Sequence, residues 1–131
     1  MGRLNQMCCF VGVFALLLAA PHASSQDQSN STLGPGLQRL VDLAAEDLAA
    51  TLNVDVKGIE VVEAQFVTWR DSSAGCPKLG MQYLQVLTNG ARIVLRVDGT
   101  KYHYHSGGSR PPFYCAKPSS IEPLPYGQGE A

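Results

Sequence analysis

The side chains of this sequence with chemistry to offer fall into three groups. Cys76 and Cys115 are a pair of thiols, His103 and His105 stand two apart, and Arg92, Arg96 and Lys101 supply cations close by. Two further cysteines, Cys8 and Cys9, lie in an apolar N-terminal run that reads as a signal peptide. Its removal leaves Cys76 and Cys115 as an even pair in an oxidising compartment. A disulfide between them is expected, closing a loop of about 40 residues that chain entropy values at roughly 3 to 4 kcal/mol. Two free thiols acting as metal ligands or as a nucleophile are the competing chemistry, but the Cys-x-x-Cys spacing of zinc sites is missing.

His103 and His105 fall on one strand face, the spacing at which two imidazoles reach one ion, yet no third ligand is evident. No metal site and no cofactor are assigned. Ser72, Ser73, Asp71 and a histidine hold the atoms of a hydrolytic site, but no Gly-x-Ser-x-Gly elbow is present and Asp71 reads as a turn residue. No enzymatic activity is expected.

Elements must position these groups. Leu37, Leu40, Val41, Ala44, Leu48 and Leu52 recur at three- and four-residue steps, which predicts an amphipathic helix ended by Asn53 and the β-branched residues beyond it. Ile59 to Trp69 reads as a strand with a bulge near Val61 and Val62, where the apolar phase changes. Met81 to Leu87 reads as a second strand followed by a tight turn at Thr88-Asn89-Gly90. Ala91 to Val97 alternates, and Asp98-Gly99 signals a two-residue hairpin into the strand Thr100 to His105. That loop sets Val97, Leu95 and Ile93 opposite Thr100, Tyr102 and Tyr104 on the apolar side. It sets Arg96, Val94 and Arg92 opposite Lys101, His103 and His105 on the other. Phe113 to Cys115 is expected to return as a short strand towards Cys76. The fold class is α+β: one helix on a four-stranded, mainly antiparallel sheet with one disulfide.

The chain has 131 residues and a net charge of −1, enough for one modest domain. Residues 1–25 read as a signal peptide, 26–36 as a flexible leader, 37–116 as the domain, and 117–131 as a disordered Pro- and Gly-rich tail. Asn30 opens a glycosylation sequon that matters in a eukaryotic source. The mature protein is expected to be secreted, extracellular and monomeric, without a membrane span. The mature chain is slightly acidic and no aromatics interleave the cations on that hairpin face, so nucleic acid is not expected as a partner.

Trp69-x-Asp71, Gly75-Cys76-Pro77, Gly80, Tyr83-x-Gln85-Val86-Leu87-Thr88 and Tyr102-x-Tyr104-His105 together resemble a group of small, exported, mostly bacterial domains of unassigned function. Where that group carries Pro, Leu and Pro, this chain has Arg70, Ala74 and Leu79. The resemblance implies a disulfide-tied secreted domain and supplies no catalytic residue. A helix followed by antiparallel strands also resembles the cystatin-type inhibitors, whose Gln-x-Val-x-Gly loop is matched by Gln65-Phe66-Val67-Thr68 until Trp69 replaces the glycine.

The functional expectation is a non-enzymatic binding module for an extracellular protein or an anionic glycan. Its surface would be the Trp69 to Gly80 loop, with Trp69, Arg70, Asp71, Pro77 and Lys78, and the basic hairpin face, with Arg92, Arg96, His103 and His105. A protease inhibitor, cystatin-like or presenting the Cys76-Pro77-Lys78-Leu79 loop, is the alternative, and a structural matrix protein is a further one.

Overall fold

A computed structural model describes residues 33–129. The segment read as a signal peptide, most of the leader and Asn30 lie outside the described residues. Helix α1 spans Pro35–Leu52 and strand β1 Glu60–Trp69, with a single 3-10 turn, Val56–Gly58, between them. Strands β2 (Thr88–Val97), β3 (Thr100–Gly107), β4 (Phe113–Tyr114) and β5 (Leu124–Pro125) complete a sheet of order β4-β3-β2-β1-β5, antiparallel throughout.

Each boundary has a local cause. Pro35 starts α1 where a missing N–H costs nothing, and Asn53 ends it in the left-handed region at φ 54°. The helix stripe Val41, Ala44, Ala45 and Leu48 packs on Ile93, Leu95, Val97 and Tyr104 of the hairpin, all buried. Fully burying a Leu or Ile contributes about 2 kcal/mol, so this one contact between layers supplies most of the core. The Tyr104 hydroxyl reaches across and donates to Asp47 Oδ2 at 2.7 Å. Burial, and then the bond to Asp47, raises its pKa well above the ordinary phenol value and keeps it protonated.

The hairpin register is the expected one at every pair, from Val97 opposite Thr100 to Arg92 opposite His105. The bulge falls at the expected place as well: the β1–β2 register shifts between Val61 and Glu63. That shift puts Ala64 and Phe66 on the helix side. It also puts Glu63 and Trp69 on the far side with Arg92 and His105.

Four expectations are corrected. The sheet has five strands. Met81 to Leu87 is not one of them: beyond its own neighbours in sequence its backbone bonds to Ser72, with Ser72 N–H donating to Leu84 O at 3.0 Å and Leu84 N–H to Ser72 Oγ at 2.9 Å. One paired residue cannot make a ladder. Thr88-Asn89-Gly90 is no turn either but the start of β2, paired with Trp69, Thr68 and Val67.

The segment expected as a disordered tail is anchored through residue 129. Leu124 and Pro125 pair with Thr68 and Val67. Ser119 N–H donates to Gly75 O at 2.8 Å, Gln128 N–H to Thr68 Oγ1 at 3.1 Å, and Gly129 N–H to Asn89 Oδ1 at 3.2 Å. Tyr126 lies on Phe66 with 5.1 Å between ring centroids. Backbone bonds to a sheet edge hold this Pro-rich segment, and they need no apolar periodicity. Among the described residues no helix is long and apolar enough to cross a membrane.

Candidate functional site

The sheet face away from α1 is covered by the segment after Trp69, and Trp69 decides how. Its side chain is 3% exposed, and its Nε1–H donates to Ser106 O at 2.6 Å. The ring is seated among glycines: a Cβ on Gly75 would stand 2.3 Å from it, and a Cβ on Gly90 would stand 1.9 Å from Ser106 O. Asp71 Oδ1 accepts from Ser73 N–H at 2.8 Å and turns the chain. Ala74 and Gly75 then take consecutive left-handed conformations, φ 53° and 70°, which bring Gly75 under the indole. Cys76 follows at once, and the expected bridge is present: Cys76 and Cys115 are joined, with Cα atoms 5.8 Å apart.

His105 is part of the same knot. Its ring stacks on Trp69 at 4.6 Å and its Nδ1–H donates to Ala74 O at 2.8 Å, while Nε2 is buried without a hydrogen-bond partner. Burial lowers its pKa, against the Ala74 bond, and the charges of His103 and Arg92 lower it further. Burial thus favours the neutral imidazole, which packs against Trp69.

The residues expected to form one binding surface are therefore divided. Trp69 and His105 are interior, and Asp71 is a half-buried turn residue. The two hairpin arginines are neutralised from β1 and the tail. Arg92 Nε is 2.8 Å from Glu63 Oε1 and Arg92 Nη1 is 2.6 Å from Glu122 Oε2, while Arg96 pairs with Glu60 at 2.5 Å. The β1 register makes these pairs, setting Glu60 opposite Arg96 and Glu63 opposite Val94, two residues along the strand from Arg92. Arg70, Pro77, Lys78 and Lys101 are exposed, and Arg70 Nε–H donates to Glu122 O at 3.1 Å. His103 is half-buried on the hairpin face. Among the described residues no group of three or more His, Cys, Asp or Glu side chains is placed to hold a metal ion.

Two other stretches named in the sequence take definite places in the fold. Gln65-Phe66-Val67-Thr68 lies inside β1, paired with β2, so the likeness to a cystatin hairpin tip does not carry over. At Lys78 the backbone N–H donates to the Tyr83 hydroxyl at 3.0 Å and the carbonyl accepts from Met81 N–H at 3.2 Å. A substrate-like inhibitory loop would offer both groups to a protease; here both are used within the loop.

One surface runs from Pro77 to Leu87; Pro77 and Lys78 were expected in it, and its continuation from Met81 to Leu87 was not. Leu79 is 104% exposed, Leu84 71% and Met81 61%, and Val86 and Leu87 are also exposed. The signal for this is a broken phase. Met81 and Tyr83 alternate with polar residues, but Leu84 follows Tyr83 directly, so no single strand face could bury all of them. The segment is nonetheless pinned, by the disulfide at one end, by Ser72 at Leu84, and by β2 at the other. Val86 and Leu87 continue into an apolar groove of about 640 Å3 whose other walls include Phe66, Tyr126 and Leu40. A pinned, apolar, solvent-facing segment beside a groove is an arrangement suited to recognition by contact.

No curated protein and no solved structure matches the chain. Residues 41–115, from the middle of α1 to the second half-cystine, match a family model described as a domain of unknown function (DUF8738), and the chain belongs to that family.

Proposed function

We propose that this is a non-enzymatic binding module, acting outside the cell, that recognises another protein through the segment Pro77 to Leu87 and the adjoining groove. The observation that carries the reading is the exposure of Leu79, Met81, Leu84, Val86 and Leu87 on a backbone fixed at both ends. Isolated apolar side chains on a surface need no explanation, but five on one short pinned segment do. A pre-ordered segment also loses little conformational freedom on binding, which favours affinity. Secretion is supported by the N-terminal sequence and by the disulfide.

The reading moves recognition off the hairpin face. A glycan or acidic surface would have to break the pairs that Arg92 and Arg96 make with Glu63, Glu122 and Glu60 before gaining their charge. Apolar contacts to a protein need no such exchange. The test is affinity capture from the extracellular fluid of the source organism by the native domain and by a Leu79→Ser, Met81→Ser, Leu84→Ser variant of unchanged unfolding midpoint. A partner captured by the first and lost by the second supports the reading. A partner held equally by both removes it.

A further inference from the structure

One end of the exposed segment borders a second concavity, of about 230 Å3, beside the Cys76–Cys115 bridge. Lys78, Met81, Tyr83, Arg110, Phe113 and Tyr114 line it. Its chemistry differs from the rest of the surface. Three ion pairs are formed among the described residues, and they engage Arg92 and Arg96 but neither Lys78 nor Arg110. Asp71, the acidic residue nearest Lys78 in sequence, is occupied by its turn, and no acidic side chain lines the concavity.

The polar side chains that remain are donors. The Arg110 guanidinium lies 4.2 Å above the Phe113 ring, which orients it without neutralising it. The Tyr83 hydroxyl accepts the Lys78 backbone N–H at 3.0 Å, so its lone pair is engaged and its own O–H is left to donate. Two unneutralised cations and a phenol O–H thus border one pocket walled by aromatic rings, with exposed Met81 in its lining and exposed Leu79 next to Lys78 in sequence. A carboxylate suits such a donor set, and a large apolar side chain suits Met81 and Leu79.

We infer that this pocket takes an acidic side chain of a partner polypeptide whose neighbouring apolar residues lie along Leu79 to Leu87. The inference rests on the reading of that segment as the recognition surface and adds the chemistry of what it recognises. An anionic membrane would share the attraction for cations. Lipid headgroups, however, are held by clusters of four or more Lys and Arg on an open surface, whereas two cations here flank a single concavity.

The experiment is selection of phage-displayed random peptides on the full chain with its disulfide intact. Selected peptides are then measured by titration against the wild type, a Lys78→Glu, Arg110→Glu variant and a Leu84→Ser variant, each checked for an unchanged unfolding midpoint. The expected peptides carry Asp or Glu beside aromatic or large aliphatic residues. They lose roughly tenfold or more in affinity on charge reversal, weaken with added salt, and weaken on Leu84→Ser. The salt series on the wild type keeps the test valid should the charge-reversed variant fold poorly. Apolar peptides without acidic bias, indifferent to charge reversal but lost with Leu84→Ser, would overturn the anionic inference and leave the recognition segment standing. Peptides indifferent to Leu84→Ser, or no enrichment at all, would overturn both. Binding to phosphatidylserine vesicles that is lost on charge reversal, without acidic peptides, would assign the cations to a membrane and overturn the proposal.

Discussion

Trp69 and His105 lie ring against ring, 4.6 Å between centroids, with the indole N–H bonded to Ser106 O and the imidazole N–H bonded to Ala74 O. Neither ring could move without freeing a buried polar group, so the pair locks the cover segment to β3. The family match ends at Cys115, where the same cover is tied covalently. The Trp69-x-Asp71 and Gly75-Cys76 residues thus build a platform, and the recognition proposed above belongs to the segment that leaves it.

Replacing Trp69 by Ala should cost about 3 to 5 kcal/mol, because it removes a large buried ring and orphans the Ser106 carbonyl. Urea titration of the variant checks this. A loss below about 1 kcal/mol would mean that the cover segment does not depend on the indole.

Two glycines should respond differently to the same change. Gly99 has open space around it but sits at φ 80°, so Gly99→Ala should cost about 1 kcal/mol of backbone strain. Gly90 has an ordinary φ but no room, since a Cβ would stand 1.9 Å from Ser106 O. Gly90→Ala should therefore force β2 and β3 apart and cost more than Gly99→Ala. Equal midpoints for the two variants would contradict the close approach.

Stability should fall on mild acidification. Burial lowers the His105 pKa below its usual 6.5, so below that pH the unfolded chain binds a proton that the folded chain refuses. The stability is whole above the unfolded value and is lost as pH falls towards the folded one. Midpoints measured at steps from pH 8 to pH 5 should drop for the wild type. They should drop less for His105→Phe, which keeps the ring and lacks the proton. An identical drop in both would exclude His105 as the source.

Reduction of Cys76–Cys115 removes a crosslink between residues 39 apart and should lower stability by roughly 3 to 4 kcal/mol. The measurement is the denaturant midpoint with and without reductant. Amide exchange should rise first between Ser72 and Leu87, because the bridge pins that segment's near end.

Much of this was legible in the sequence, and for local reasons. A two-residue Asp98-Gly99 loop allows one register, and the apolar phase change at Val61 and Val62 marked the bulge in β1. The helix declared itself by periodicity. What stayed hidden depends on pairing with distant strands. Glu60 and Glu63 neutralise Arg96 and Arg92 only once β1 is laid against β2, so the hairpin looked like a basic face when read alone. Gly90 looked like a turn residue and is a spacer for Ser106 O. The tail lacks any periodic signal because its anchors are backbone bonds and the single side chains of Glu122, Leu124 and Tyr126. Trp69 looked like a surface anchor, yet the glycines at 75, 90 and 107 around it are the sequence sign of a cradle.

The most direct test places a photo-crosslinking amino acid at Leu84, on the exposed segment, and separately at Lys101, on the hairpin face, and irradiates each protein in extracellular fluid of the source organism. A discrete crosslinked protein is expected from the Leu84 position and none from Lys101. The same adduct from Lys101 with nothing from Leu84 would contradict it and return recognition to the hairpin.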